Sequence, residues 1–286
     1  MNGILIVDKP EGLTSAEVVR RVKRLCQLKV GHLGTLDPFA SGVLPLCLGE
    51  GTKVAQFLSS ADKAYEGIIQ LGSSTESGDP TGLVTRTCPV PAFAAGELRS
   101  VEARFTGDYR QVPPMYSALK RDGVPLYRLA RKGIEVEREP RTVRIESLRI
   151  TAVAADRLRF ELSCSKGTYV RVLAEDIGVA LGTAAHLHTL RRTRFGAFDL
   201  TTAVELASWN PQVSSGVLSI RQALGHLPAL VVDRQTTVAV RRGQKRVLEE
   251  LASSLTGNET VLTDDEGEVV AVLVKRDGRW QFGRVL

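Results

Sequence analysis

Long apolar runs are missing from these 286 residues. The longest uninterrupted one, Val269 to Val274, is far short of the roughly 20 residues a membrane helix needs. The opening MNGILIVDKP has no basic start and reaches Asp8 too soon for a secretion signal, so a cytoplasmic protein is expected. Cysteine is scarce: Cys26, Cys47, Cys88 and Cys164 are scattered without a CxxC pair. That excludes a disulfide scaffold and a zinc ribbon and points to reduced thiols. No GxGxxG, GxxxxGK[ST] or HExxH pattern occurs, and Gly49-Glu-Gly-Thr-Lys53 fails as a P-loop because no glycine precedes its lysine. Internal repeats and low-complexity tracts are absent as well.

Charge is not scarce, and it is unevenly placed. The net charge is +6. Residues 1–228 hold 29 Lys and Arg against 23 Asp and Glu, whereas residues 229–286 hold 9 of each. A moderate basic excess fits a nucleic-acid partner, although many proteins that bind none share it.

The chain is organised around Val30 to Lys53, VGHLGTLDPFASGVLPLCLGEGTK. Glycines at 31, 34, 42, 49 and 51 let the backbone turn where other residues would strain. Asp37 precedes Pro38, which disfavours helical geometry and predicts a loop. The run Val43 to Leu48 reads as a buried strand. A carboxylate on a loop pinned to the core suits a nucleophile or general base. An Asx-turn, with Asp37 bonding its own backbone, is the other reading the pattern allows.

Elsewhere the pattern predicts mixed strands and helices. Gly3 to Val7 is a strand, and Thr14-Ser-Ala-Glu17 is a capping box opening a helix through Val18, Val22 and Leu25. Lys63 to Leu71 alternates as a strand, Glu97 to Phe105 is a helix, and Val143–Val153 pairs with Arg157–Ser165. Residues 104–149 carry 11 Lys and Arg, interleaved with Tyr109, Tyr116 and Tyr127. Within them Pro125 opens a helix that turns Arg128, Arg131 and Lys132 outward, either as a solvated face or as an RNA-gripping arm. His186 and His188 lack the third ligand zinc requires, so no metal is expected. Residues 210–216 read as a linker and Val217–Leu224 as a short helical element. Beyond Ala229 the chain reads as short strands at 230–232, 238–240, 260–262, 269–274 and 280–285, an all-β module.

GHLGTLDPFASGVL resembles the active-site signature of the TruB-type tRNA pseudouridine synthases, which form the pseudouridine of the T loop at tRNA position 55. GILIVDKPEGLTS near the start, Lys63-Ala-Tyr65 and CSKGTYVR at 164–171 extend the likeness in family order. The resemblance implies an α+β fold: a mixed, largely antiparallel sheet over residues 1–228, followed by a PUA-like RNA-binding module at 229–286. It implies a cofactor-free isomerase acting on the tRNA T stem-loop, in which Asp37 is the catalytic carboxylate and Arg171 its pairing arginine. Tyr65 is then the plate that stacks on the target base. His32 would occupy the space a flipped base vacates, Tyr169 and Leu190 would line the pocket, and Lys53 falls inside a recognised motif. Residues 104–149 would be the RNA-contacting insertion. The absence of a long apolar oligomerisation helix favours a monomer.

Two rivals stand beside this. A non-catalytic RNA-binding or tRNA-folding factor would need the basic arm but not Asp37. A glycoside or nucleoside hydrolase would need a second carboxylate, which the Asp37 loop lacks until Glu50.

Overall fold

The computed structural model describes residues 1–212 and 216–286. It opens with β1 (Gly3–Lys9), α1 (Ser15–Cys26), β2 (Val30–His32), β3 (Ser41–Leu48) and α2 (Ala55–Leu58). The capping box forms as read: Thr14 Oγ1 accepts from the Glu17 amide at 3.1 Å, and the Thr14 amide donates to Glu17 Oε2 at 2.8 Å. Then come β4 (Lys63–Leu71), the hairpin β5 (Ser73–Thr75) and β6 (Val84–Thr87), α3 (Ala95–Phe105) and β7 (Gly107–Gln111). The basic segment contributes the small hairpin β8 (Lys120–Arg121) and β9 (Val124–Pro125), followed by α4 (Leu126–Ala130). The long strands β10 (Arg141–Ala154) and β11 (Arg157–Cys164), α5 (Val170–Ala180) and β12 (Ala185–Phe195) complete the main layer.

Short strands β13 (Phe198–Asp199), β14 (Val204–Glu205) and β15 (Val217–Leu218) edge it, and α6 (Ile220–Ala223) follows. The expected helical element at 217–224 is thus a strand pair followed by one turn, capped by Ser219, which accepts from the Gln222 amide at 3.1 Å. Of the expected linker, residues 213–215 lie outside the described residues.

The main sheet runs β14-β1-β3-β12-β4-β11-β10-β7. Only β1–β14 and β3–β12 pair in parallel along this path; the other neighbours are antiparallel. One face buries Leu5, Leu44, Tyr65, Phe160 and Leu162 against α1, α3 and α5, through Val18, Phe105 and Leu173. The opposite face, at the β1–β3 end, packs Ile4, Ile6 and Val43 against Val261, Val269 and Val272. Those three belong to a second sheet, β16 (Ala229–Val231), β17 (Glu259–Thr263), β18 (Val269–Arg276) and β19 (Arg279–Val285), in that order. The β18–β19 turn places Asp277 and Gly278 at φ 50° and 76°, the paired left-handed geometry that an Asp-Gly hairpin favours.

Val238–Val240 corrects the sequence reading. It lies in a helix, α7 (Arg234–Arg241), and α8 (Arg246–Leu251) follows, so two helices cover the strand module. Asp233 caps α7, its Oδ1 accepting from the Thr236 amide at 2.7 Å. That cap and the helical spacing of buried Thr237 and Val240 outweigh a two-valine alternation too short to define a strand.

No helix among the described residues is long and apolar enough to cross a membrane.

Candidate active site

The loop between β2 and β3 carries Asp37, and its neighbours hold it from below. Ser15 Oγ, at the start of α1, donates to the Leu36 carbonyl at 3.0 Å and accepts from the Leu36 amide at 2.9 Å. The Gly12 amide donates to the Pro38 carbonyl at 2.8 Å. Lys9 is wholly buried, and its Nζ donates to Leu13, Pro10 and Pro38 carbonyls at 2.7, 2.8 and 3.3 Å. Burial pulls the Lys9 ammonium down to about 8, against the opposing charge of Asp37. Leu36 and Ala40 sink into the core on either side. Gly42 sits at φ 105°, where a Cβ would come within 2.2 Å of the Arg192 carbonyl, so the loop's exit requires glycine.

The Asp37 carboxylate makes no hydrogen bond to its own backbone among the described residues; it meets Arg171 instead, Nε to Oδ2 at 3.0 Å. The Asx-turn reading therefore falls. Arg171 stands on the first turn of α5 and is buried, while the Asp37 side chain stays 35% exposed, open to a ligand. Burial pushes the Asp37 carboxyl above the ordinary range, Arg171 opposes it, and Asp79 adds to the rise.

Arg171 reaches further. Its Nη1 donates to the Ser77 carbonyl at 2.7 Å and lies 3.7 Å from Asp79 Oδ2, while Nη2 donates to the Tyr116 carbonyl at 2.7 Å. One guanidinium thus joins the Asp37 loop, the β5–β6 hairpin and the base of the basic segment. Tyr116 binds the same hairpin through its hydroxyl, 2.7 Å from Glu76 Oε1.

Tyr65 is buried on β4, in the cluster that also holds Leu36, Leu162 and Leu190. Burial raises its phenol, with the Arg192 charge opposing. Leu190 lies on β12 beside it, opposite Gly67. Tyr169 begins α5, its amide donating to Gln111 Oε1 at 2.7 Å, which aims the half-buried ring beside Arg171. His32 ends β2, half-buried, with Nδ1 enclosed and without a hydrogen-bond partner among the described residues. Burial makes it less basic than usual. Arg128, Arg131 and Lys132 are exposed on and after α4, and none pairs with a carboxylate among the described residues. Lys53 stands apart: it follows the far end of β3 and pairs with Glu50. His186 also stands apart, its Nδ1 2.8 Å from the Ser73 carbonyl.

Two members have no role assigned from the sequence, although Asp79 falls near an acidic position of the resembling family. Asp79 is buried, and its Oδ1 accepts from Ser77 Oγ, the Thr81 amide and Thr81 Oγ1 at 2.7, 2.9 and 2.6 Å. Its Ser-x-Asp-x-Thr setting was visible as a turn but carried no sign of Arg171. Arg192 belongs to the basic cluster Arg191-Arg-Thr-Arg194, yet it is 1% exposed. Its place one alternation after Leu190 on β12 was the available signal. Asp79 does not supply a hydrolase's second carboxylate, because its oxygens are committed to its own turn and to Arg171.

Comparison with known proteins places the chain in a family. Residues 20–170 match the family described as TruB family pseudouridylate synthase, N-terminal domain. Residues 171–213 match the tRNA pseudouridylate synthase B C-terminal domain. The tRNA pseudouridine synthase B of Geobacter sulfurreducens is 43% identical over 290 residues, covering 98% of this chain and 95% of that protein. Its counterpart from Opitutus terrae is 48% identical over 228 residues, 78% of this chain and 95% of that one. A chain of a Cbf5-Nop10-Gar1 complex superposes with a TM-score of 0.74 at 25% identity, covering 99% of this chain and 84% of its own. With both family models matched in order and a 43% identical relative covering 98% of it, the chain belongs to the TruB family of pseudouridylate synthases.

Proposed function

We propose that the chain converts the T-loop uridine of tRNA, position 55, to pseudouridine, with Asp37 as the catalytic carboxylate. The reaction breaks the N1–C1′ bond, turns the base and joins C5 to C1′. C5 gives up a proton and N1 gains one, so the step balances without an outside reagent or a cofactor. The observation that carries the reading is the Asp37–Arg171 pair: a carboxylate held at 3.0 Å, yet open on its other side. Such a group can sit at the sugar–base junction, to attack or to stabilise charge while the base is detached.

The other residues divide the work accordingly. A uridine inside a folded T loop must leave the stack before a carboxylate reaches it. Tyr65 and Leu190 face the expelled base, Tyr169 walls the pocket, and His32 fills the gap left in the loop. Arg128, Arg131 and Lys132 hold phosphates, and Lys53 contributes at most from the periphery. Residues 229–286 act as a PUA-like RNA-binding module, and the enzyme works as a cytoplasmic monomer.

Transcripts of unmodified tRNA carrying 5-tritiated uridine provide the test. Release of tritium from a wild-type T loop, but not from one with cytidine at position 55, is expected. Tight binding without release would move the chain to a tRNA-folding factor, and release of free uracil would make it a hydrolase.

A further inference from the structure

Arg192 presents a problem that the proposed chemistry leaves unanswered. It is 1% exposed and forms no ion pair with any described carboxylate. A buried charge without a counter-ion is costly, and a neutral side chain could fill the same volume. The surroundings make it worse: burial lowers the basicity of Lys9 on β1, His32 on β2 and Lys63 on β4, and the Arg192 charge adds to that lowering.

What Arg192 touches explains why the cation is worth holding. Nε donates to the Val43 carbonyl at 2.7 Å, and Nη2 donates to the Gly34 carbonyl at 3.2 Å. Gly34 stands near the start of the loop that carries Asp37, and Val43 lies on β3 just beyond its other end. The guanidinium lies over the Phe195 ring at 5.2 Å, which fixes its plane. Gly34, at φ 73°, packs closely here: a Cβ there would come within 3.0 Å of Phe195 Cε2, the ring the guanidinium lies over, and into ordinary contact with Arg192 Nη1 at 3.7 Å. In the sheet, Arg192 sits directly opposite Gly42 of β3 on one side and Tyr65 of β4 on the other. The planar fork reaches both carbonyls in one fixed geometry, with Nε on one and Nη2 on the other, which the point-like ammonium of a lysine on a freely rotating stem would not reproduce.

We propose that Arg192 is a positioning residue for the isomerisation: it clamps the neck of the Asp37 loop and orients Tyr65, holding carboxylate and aromatic plate in one spacing while the base turns. This rests on the reading of Asp37 and Tyr65 given above. Arg192 lies on β12 between β3 and β4, so one side chain stands between the Asp37 loop and Tyr65 and sets their spacing. It touches no substrate atom and acts through the two residues that do.

Arg192→Lys keeps the charge and loses the fork. The expected result is a single-turnover rate about 10- to 100-fold below wild type, with unchanged RNA affinity and nearly unchanged melting temperature. In a Tyr65→Phe background the same substitution should cost less than it does alone, because both act on one arrangement. A rate within about twofold of wild type, or fully additive losses, would overturn the proposal. So would a loss of rate that only follows a loss of folded protein. The wild-type protein offers a second measurement that survives a variant failing to fold. The Arg192 Nε–H resonance should be protected from exchange and should move in Tyr65→Phe; a rapidly exchanging, unmoved resonance overturns the clamp. If wild type makes no pseudouridine the functional reading fails, and this resonance still decides the clamp.

Discussion

Arg171 Nε lies 3.0 Å from Asp37 Oδ2, and the same guanidinium binds the backbone at Ser77 and Tyr116. The pair is therefore a junction as well as an ion pair. The loop with the carboxylate, the β5–β6 hairpin and the root of the basic arm all end on one side chain.

Asp37→Asn should abolish turnover, by on the order of 10⁴-fold or more, without weakening the fold. Asp37 has its folded pKa raised, so its favourable contribution is present below the ordinary value and lost as pH rises through the raised one. At neutral pH the ionised group is a net cost that asparagine removes. Thermal melts should put the variant at or above wild type at pH 7, with the difference vanishing in acid.

The acid limb of the rate profile should follow Asp37. Activity falls as pH drops through its raised pKa, above the ordinary carboxylate range. Arg171 opposes that rise, so Arg171→Met should move the limb to higher pH as well as lowering the rate. A limb that moved to lower pH would contradict the pairing.

Glu175, one turn beyond Arg171 on α5, is pushed up to about 7 by burial and by Asp176. Its folded form therefore loses stability as pH rises through about 7. Glu175→Gln should melt higher than wild type at pH 8 and equally at pH 4, as read by calorimetry.

Replacing Arg128, Arg131 and Lys132 together by glutamine should weaken tRNA binding most at low salt. The slope of log affinity against log salt should flatten by about two to three, since each phosphate contact adds about 0.7 to 0.9. An unchanged slope would leave α4 as a solvated helix.

Gly42→Ala should destabilise the fold by several kcal/mol, on the order of the strain at a disallowed φ plus a backbone clash. At φ 105° and 2.2 Å from the Arg192 carbonyl, the new Cβ has nowhere to go unless β3 and β12 separate. Chemical denaturation would measure the loss.

Much of this site was legible because its local chemistry is strong. Gly34, Asp37-Pro38 and Gly42 announce a loop, Thr14 and Glu17 announce a helix start, and Tyr65 falls on the buried phase of an alternating strand. Convergence was not legible from spacing. That Asp79 meets Arg171, and that Arg171 also reaches Tyr116, depends on how the β5–β6 hairpin folds over α5. Arg192 was hidden by its neighbours: Arg191 and Arg194 are half-buried, and a register shift between Arg192 and Arg194 breaks the alternation that would mark Arg192 as inward. At Val238–Val240 a cap five residues upstream, at Asp233, decided the structure.

The most direct measurement of the central claim is pseudouridine formation in an unmodified T stem-loop by wild type and Asp37→Asn side by side, with RNA binding measured for both. The account predicts product from wild type and none from a variant that binds equally well. Product from Asp37→Asn at the wild-type rate would contradict it.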